Sequence, residues 1–150
     1  WLIYTPVMIF ALIGAWRLLK TKHEAGVAWL GFTLPFMYVI FSWWCWWFGG
    51  SYGMRPMVDT YALMAIAMAA YLHFLCKAKS MLRFGSWLLI VLFIGLNQFQ
   101  VAQYRWGILH YDSMTGAAYK AIFLRSTYPP DYEKHIAHPD YEAAGRGERK

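Results

Sequence analysis

Residues 84–104 read FGSWLLIVLFIGLNQFQVAQY and contain no Asp, Glu, Lys or Arg. A run of about 20 predominantly apolar residues is long enough to cross the hydrocarbon core of a bilayer, about 30 Å thick, as one α-helix. The same run becomes polar in its second half, where four side-chain amides occur at Asn97, Gln98, Gln100 and Gln103. The stretch therefore predicts a membrane-spanning helix with a polar end.

Two further stretches, 25–54 and 60–76, also lack Asp, Glu, Lys and Arg. The whole chain is 59% hydrophobic and 15% charged, whereas a typical soluble domain is about 25% charged. A soluble domain of this size could bury one such helix but not several, because soluble helices need a polar face. We therefore predict an all-α fold: a polytopic transmembrane bundle of about four helices, with a short amphipathic C-terminal helix and a flexible tail.

The domain organisation follows from where the apolar runs stop. Residues 1–104 form the predicted transmembrane region, and the next region, 105–127, is expected to be short, helical and extracytoplasmic. Residues 128–150 are expected to be a flexible polar tail, because a Pro-Pro pair ends the preceding helix and the composition then becomes polar. The four predicted spans are residues 1–19, 27–47, 57–76 and 84–103.

Small residues in the third span predict a helix contact. Ala65 and Ala69 are four residues apart, so they lie on one helical face and would let a neighbouring backbone approach closely. Cys45 and Cys76 are expected near opposite ends of their helices, where they behave as small apolar residues rather than as a disulfide pair.

The basic residues of the short loops predict the orientation of the bundle. The first and third loops carry six Lys or Arg residues, whereas the second loop carries only Arg55. Because short cytoplasmic loops are enriched in Lys and Arg, we expect a multi-pass membrane protein with the 43–56 loop and the C-terminal tail extracytoplasmic, which in a bacterium is the periplasmic side of the inner membrane. The net charge of +6 is then a topology signal, and the absence of a basic stripe with interleaved aromatics argues against a nucleic-acid partner.

The loop between the second and third spans has the composition of a binding site. It reads WWCWWFGGSYGMRPMVD over residues 43–59. Tryptophan is typical of membrane interfaces, and the glycines permit backbone conformations that other residues resist. These glycines either form a turn or let the backbone approach a phosphate or a sugar closely. Aromatic faces beside glycines and an arginine would suit a carbohydrate carried on a lipid phosphate.

Arg55 and Asp59 are four residues apart, so on a helix they can pair. An Asp just inside a membrane helix is costly without a partner, which makes it a functional candidate. Alternatively, the two residues form an ion pair at the start of the helix, where Asp59 favours the helix dipole. Arg55 is the candidate phosphate ligand, because a guanidinium binds phosphate through two parallel hydrogen bonds.

The run from Trp47 to Asp59 resembles the W-x-G-G-x-(F/Y)-G-x-R-x-(L/M)-(I/V)-(D/E) signature of a bacterial membrane-protein family. Its members resemble GT-C class glycosyltransferases, which use polyprenyl-phosphate sugars and include protein mannosyltransferase-like enzymes. The later run over 97–119 is similar to the C-terminal region of such proteins from Bacteroidetes-type bacteria. Cys45 departs from the relatives, which often have Asp at this position.

The resemblance implies that the chain is the C-terminal part of a larger glycosyltransferase-like protein. The catalytic acid of such enzymes lies in a first outward loop, so the catalytic residues are expected outside this sequence and residues 1–150 alone are expected to be inactive. The runner-up function is non-enzymatic, as a transporter subunit or a polytopic scaffold. The expected substrate-binding residues are Arg55, Asp59, Trp47, Gly49, Gly50, Ser51, Tyr52 and Gly53.

No cofactor or metal is expected, and the expected partners are membrane lipid and a polyprenyl-phosphate sugar. His135, His138 and Asp140 have the spacing of helical metal ligands, but the intervening Pro139 and the polar surroundings favour solvated residues. His110 and Asp112 either assist a metal or an acceptor, or form capping hydrogen bonds in a loop.

The predicted orientation can be tested by labelling single cysteines in intact cells with a membrane-impermeant reagent. Cysteines placed at Ser51 and Ser126 should react, because the charge asymmetry places both outside, whereas cysteines at Lys22 and Lys79 should react only after lysis. Labelling of Lys22 and Lys79 positions in intact cells, instead of the other two, would reverse the orientation.

Overall fold

The computed structural model describes residues 1–45 and 47–148, and this part of the chain is helical without β-strands. It contains four long helices and four shorter helical segments, one of which lies between the second and third long helices. The long helices are α1 (Met8–Thr21), α2 (His23–Ser42), α3 (Tyr61–Lys77) and α4 (Ser80–Arg105). The shorter segments are a 3₁₀ turn before α3 (Arg55–Thr60), α5 (Gly116–Ile122), a second 3₁₀ turn (Tyr132–His135) and α6 (Tyr141–Gly145).

Three helical segments of the described chain are long and apolar enough to cross a membrane: His23–Ser42, Arg55–Lys77 and Ser80–Arg105. The rest of the protein covers little of their apolar surface, and only 6% of the most apolar 18-residue stretch of α4 is buried inside the protein. An apolar helix without a polar face is stable only where something other than water contacts it. The chain is therefore a multi-pass membrane protein whose helices are suited to lipid contact.

The first predicted span, residues 1–19, is wrong in its extent. Helix α1 has 14 residues, which corresponds to a length of about 21 Å, less than the roughly 30 Å of a bilayer core. Residues 1–7 instead form turns, in which the amides of Tyr4 and Thr5 both donate to the carbonyl of Trp1 at 3.0 Å. The bundle thus has three helices of spanning length and one shorter helix, rather than four equivalent spans.

Helix α1 lies against both α2 and α3. Gly14 of α1 faces the backbone of α3 so closely that a Cβ atom at this position would be 1.8 Å from the carbonyl oxygen of Ala67. The contact face of α3 contains Met64, Ala67 and Tyr71, all buried. These positions follow the three-to-four-residue repeat of a helical face, and Ala65 and Ala69 lie off it and are exposed. The predicted alanine face is therefore not the one that packs.

The bundle has two chemically different ends. At the end we call the basic end, single short connections join α1 to α2 at Lys22 and α3 to α4 at 78–79, and Arg17 stacks its guanidinium over Phe74. At the opposite end, which we call the polar end, residues 1–7, the 43–54 loop and the last turns of α4 meet. A flexible tail was expected over 128–150. Its described part, 128–148, contains the 3₁₀ turn Tyr132–His135 and the short helix α6, in which Tyr132 and Ala143 are buried.

Replacing Gly14 with Ala should destabilise the bundle, because the added methyl group meets helix backbone that cannot rotate away. Overpacking of this kind costs about 1–3 kcal/mol. Gly95→Ala on α4 is the matched control, since a Cβ there would contact nothing within 4 Å. Thermal unfolding in detergent should give a clearly lower midpoint for Gly14→Ala and no loss for Gly95→Ala. Equal midpoints would mean that α1 and α3 are not in backbone contact.

Candidate functional site

Two buried amides of α4 organise the polar end. Gln100 and Gln103 are 1% and 2% exposed. The Gln100 amide nitrogen donates to the carbonyl of Ile3 at 3.2 Å and to the Tyr119 hydroxyl at 2.5 Å. The Gln103 amide nitrogen donates to the carbonyl of Ile122 at 2.8 Å. The end of α4 thereby holds the N-terminal segment on one side and α5 on the other.

Tyr52 connects the 43–54 loop to this same network. Its hydroxyl donates to the carbonyl of Tyr4 at 3.1 Å and accepts from the Asn97 amide nitrogen at 3.1 Å. Its ring packs edge-on against Tyr4 and beside Tyr104. Burial raises the pKa of Tyr52, so the phenol stays protonated and able to donate. The predicted substrate-binding residue Tyr52 thus has an internal structural role.

Gly49 is the point at which the loop meets the C-terminal region. A Cβ at Gly49 would lie 1.5 Å from Oδ1 of Asp112, so only glycine leaves room for this carboxylate. The amide of Gly50 also donates to the carbonyl of Tyr111 at 3.0 Å. The space at Gly49 is therefore occupied by a side chain of the protein itself, whereas Gly50 and Gly53 have positive φ values of 81° and 67° and form turns.

Tyr141 also binds Asp112. The Tyr141 hydroxyl donates to Oδ1 of Asp112 at 2.5 Å, and its ring packs edge-on against Trp47 with centroids 5.6 Å apart. The hydrogen bond to Asp112 is the main reason that the pKa of Tyr141 is raised. Trp47, Asp112 and Tyr141 therefore link the loop to α6.

Arg55 donates from Nη2 to the carbonyl of Gly50 at 3.0 Å and is otherwise exposed. The expected pair with Asp59 is not formed: within 1–45 and 47–148 the ion pairs are Lys134–Asp131 and Arg146–Glu148. The reason is local geometry, because both residues lie in the 3₁₀ turn Arg55–Thr60. With three residues per turn, positions three apart align and positions four apart do not.

His110 confirms the loop-capping interpretation. Its Nδ1 accepts hydrogen bonds from the backbone amides of Asp112 at 3.2 Å and Ser113 at 3.0 Å. Ser113 in turn places its hydroxyl 2.8 Å from Nδ1 of His138. His135, His138 and Asp140 do not converge, and no group of three or more metal-ligating side chains occurs in the described residues.

A cleft of about 690 Å³ lies where the loop and the C-terminal region meet. The sequence predicted only some of the residues that line this cleft as site residues. Trp47 was an expected site residue, whereas His138 and Asp140 were considered only for their metal-ligand spacing, because their proximity to the loop arises only from the fold. Side chains on opposite walls include Trp44, Trp47, Asp112, His138 and Asp140.

The remaining expected site residues are not among those that line this cleft. Ser51 has a buried hydroxyl without a hydrogen-bond partner among the described residues. Arg55 and Asp59 are exposed at the start of the spanning segment Arg55–Lys77, beside the cleft-forming loop rather than in the cleft wall. Of the eight expected residues, Trp47 lines the cleft and Arg55 and Asp59 are exposed. The other five, Gly49, Gly50, Ser51, Tyr52 and Gly53, form turns or pack within the protein.

Comparison with protein-family models, curated proteins and solved structures gives no match for this chain. The candidate function therefore depends on the geometry and chemistry of the polar end.

Proposed function

We propose that this protein is a component of a membrane glycosyltransferase that binds a polyprenyl-phosphate sugar at the outer face of the bacterial inner membrane. The observation that supports the proposal is the position of Arg55. It is an exposed cation at the first residue of a spanning segment, next to a tryptophan-rich loop that borders a polar cleft.

The Arg55 guanidinium is suited to a lipid phosphate. It has five N–H donors, and its contact with the Gly50 carbonyl uses Nη2, which leaves further donors for phosphate oxygens. The group that orients the guanidinium is thus a backbone carbonyl, not the carboxylate of Asp59. An arginine held in this way binds phosphate through two hydrogen bonds with little loss of side-chain freedom.

The exposed tryptophans support a position of the Arg55 guanidinium at the level of the lipid headgroups. Trp43 and Trp44 are both about half exposed at the end of α2, and exposed tryptophans concentrate at the level of lipid headgroups. A polyprenyl phosphate has its phosphate at that level, with the lipid chain in the bilayer. Arg55 and the phosphate would therefore meet without either leaving the interface.

An alternative function is a non-enzymatic transporter subunit or scaffold. The observation that favours it is the internal use of Tyr52 and Gly49, which join the loop to the rest of the polar end. In this alternative the loop is purely structural and Arg55 stabilises its turn. The two functions differ in whether Arg55 contributes to affinity for a phosphorylated lipid.

Arg55→Ala should weaken binding of undecaprenyl phosphate about tenfold or more, because a charge-assisted hydrogen bond contributes about 1.5–3 kcal/mol. Arg55→Lys should recover part of the affinity, since an ammonium lacks the two-point contact. Asp59→Asn should bind as the wild type does, because the structure shows no pair with Arg55. Affinity is measured in nanodiscs by native mass spectrometry and corrected for the folded fraction.

Arg83→Ala is the matched control, since Arg83 is an exposed cation at the basic end. It should leave the affinity unchanged. Wild-type affinity in a well-folded Arg55→Ala protein would reject the phosphate-binding role and favour the scaffold.

A further inference from the structure

The cleft between the tryptophan-rich loop and the C-terminal region has the size of a small-molecule site. Its volume of about 690 Å³ lies within the roughly 300–1,000 Å³ typical of ligand pockets. One wall is formed by Ser42, Trp44 and Trp47, where α2 ends, and the other by residues of 112–114 and 137–148. The cleft therefore opens at the level where a spanning helix leaves the apolar part of the bundle.

The aromatic wall favours a ligand with an apolar face. Trp44 is 50% exposed and lines the cleft, so its indole ring is accessible to a ligand. An indole combines a large apolar surface with one N–H donor. A pyranose ring is complementary, because its axial C–H groups form an apolar face and its hydroxyl groups project from the edge.

The opposite wall supplies acceptors for those hydroxyl groups. Tyr141 binds Oδ1 of Asp112, which fixes the carboxylate while leaving acceptor capacity, since an ionised carboxylate has about four lone-pair sites. Asp140 likewise accepts one bond, from the amide of Ala143 at 2.9 Å. The Ser113 hydroxyl lies 2.8 Å from Nδ1 of His138 and so orients this imidazole. The polar groups are thus pre-positioned.

The carboxylates of the cleft disfavour an anionic ligand. Asp112, Asp140 and Glu148 line it, and within the described residues 1–45 and 47–148 no Lys or Arg side chain does. Glu148 is compensated by Arg146, 3.0 Å away, but the two aspartates are not in an ion pair within the described residues. A phosphate would be repelled here, whereas a neutral polyol would find acceptors.

We propose that this cleft binds a neutral pyranose, with the ring stacked on Trp44 and its hydroxyl groups bonded to Asp112. The inference rests on the proposed function for its biological role, in which the sugar of the donor or of the acceptor occupies the cleft while Arg55 holds the phosphate. Sugar and phosphate then have separate sites, one acidic and aromatic, the other cationic.

The test uses the methyl glycosides of mannose, glucose, galactose and N-acetylglucosamine as probes. Binding to the purified chain in lipid nanodiscs is followed by saturation-transfer NMR, because maltoside detergents would themselves compete for the cleft. We expect saturable binding of at least one glycoside with a Kd of about 1 mM, ordinary for a ligand of this size. No saturable binding by any of the four would overturn the proposal.

Matched variants locate the binding. Trp44→Ala should weaken it about tenfold and Asp112→Asn about fivefold. Trp43→Ala should have no effect, since Trp43 is equally exposed but does not line the cleft. Asp131→Asn, an exposed carboxylate elsewhere, should also have no effect. Equal losses in Trp43→Ala and Trp44→Ala would contradict the cleft, because they would indicate interfacial anchoring alone.

Asp112→Glu is a second variant in case Asp112→Asn disturbs the contact with Tyr141. Asp112→Glu retains the charge but pushes the carboxylate toward Gly49, so it should weaken glycoside binding. Tyr141→Phe should weaken binding less, because it keeps the Asp112 carboxylate. Unchanged binding in both Asp112 variants would overturn the role of Asp112.

Two further ligands separate the sources of the sugar and the two proposals. A polyprenyl-phosphate sugar that competes with the glycoside identifies the donor sugar as the occupant, whereas a glycoside that stays bound when the polyprenyl-phosphate sugar is also bound identifies the acceptor sugar. Loss of glycoside binding in Trp44→Ala with retained, Arg55-dependent binding of undecaprenyl phosphate supports separate sites. Arg55-dependent phosphate binding without any glycoside binding would leave the proposed function standing and reject the cleft.

Discussion

The polar end depends on hydrogen bonds from the side-chain amides of α4. Residues 1–7 are irregular, so carbonyl groups such as those of Ile3 and Tyr4 need donors other than a helix. Near a membrane, unsatisfied backbone groups are especially costly because little water is present. Gln100 and Asn97 supply these donors, and Tyr52 and Tyr119 join the same network. One polar helix end thus fixes three otherwise separate segments.

The candidate site is built on this support in two steps. Tyr52 fixes the loop on α4, and the Gly49–Asp112 contact then fixes the C-terminal region on the loop. Arg55 is oriented by the Gly50 carbonyl, one residue from that contact. The cationic surface at Arg55 and the acidic surface at Asp112 are therefore neighbours, and the glycine turn sets their separation. In the proposed function, this arrangement would suit a ligand in which a sugar is attached to a phosphate.

The sequence was sufficient for the membrane helices, because lack of charge over 60–76 and 84–104 leaves few alternatives. It was insufficient for residues 1–7, since hydropathy does not distinguish an apolar turn from an apolar helix. Pairing of Arg55 with Asp59 was expected from α-helical spacing and failed because the segment is a 3₁₀ turn. Tyr141 and His138 could not be assigned to this cleft from the sequence. Tyr141 contacts Trp47 and His138 contacts Ser113, and contacts between residues so far apart in the chain leave no local sequence pattern.

The central claim is that the Gln100 amide holds the N-terminal segment and α5 in place. Hydrogen–deuterium exchange of Gln100→Leu, with Gln98→Leu as control, tests it most directly, because Gln98 is exposed and its side chain donates to that of its neighbour Asn97. The account predicts exchange about tenfold faster in residues 1–7 and in α5 for Gln100→Leu, as expected when about 1.4 kcal/mol of local stability is lost, and no change for Gln98→Leu. Identical exchange in the two variants would contradict the account.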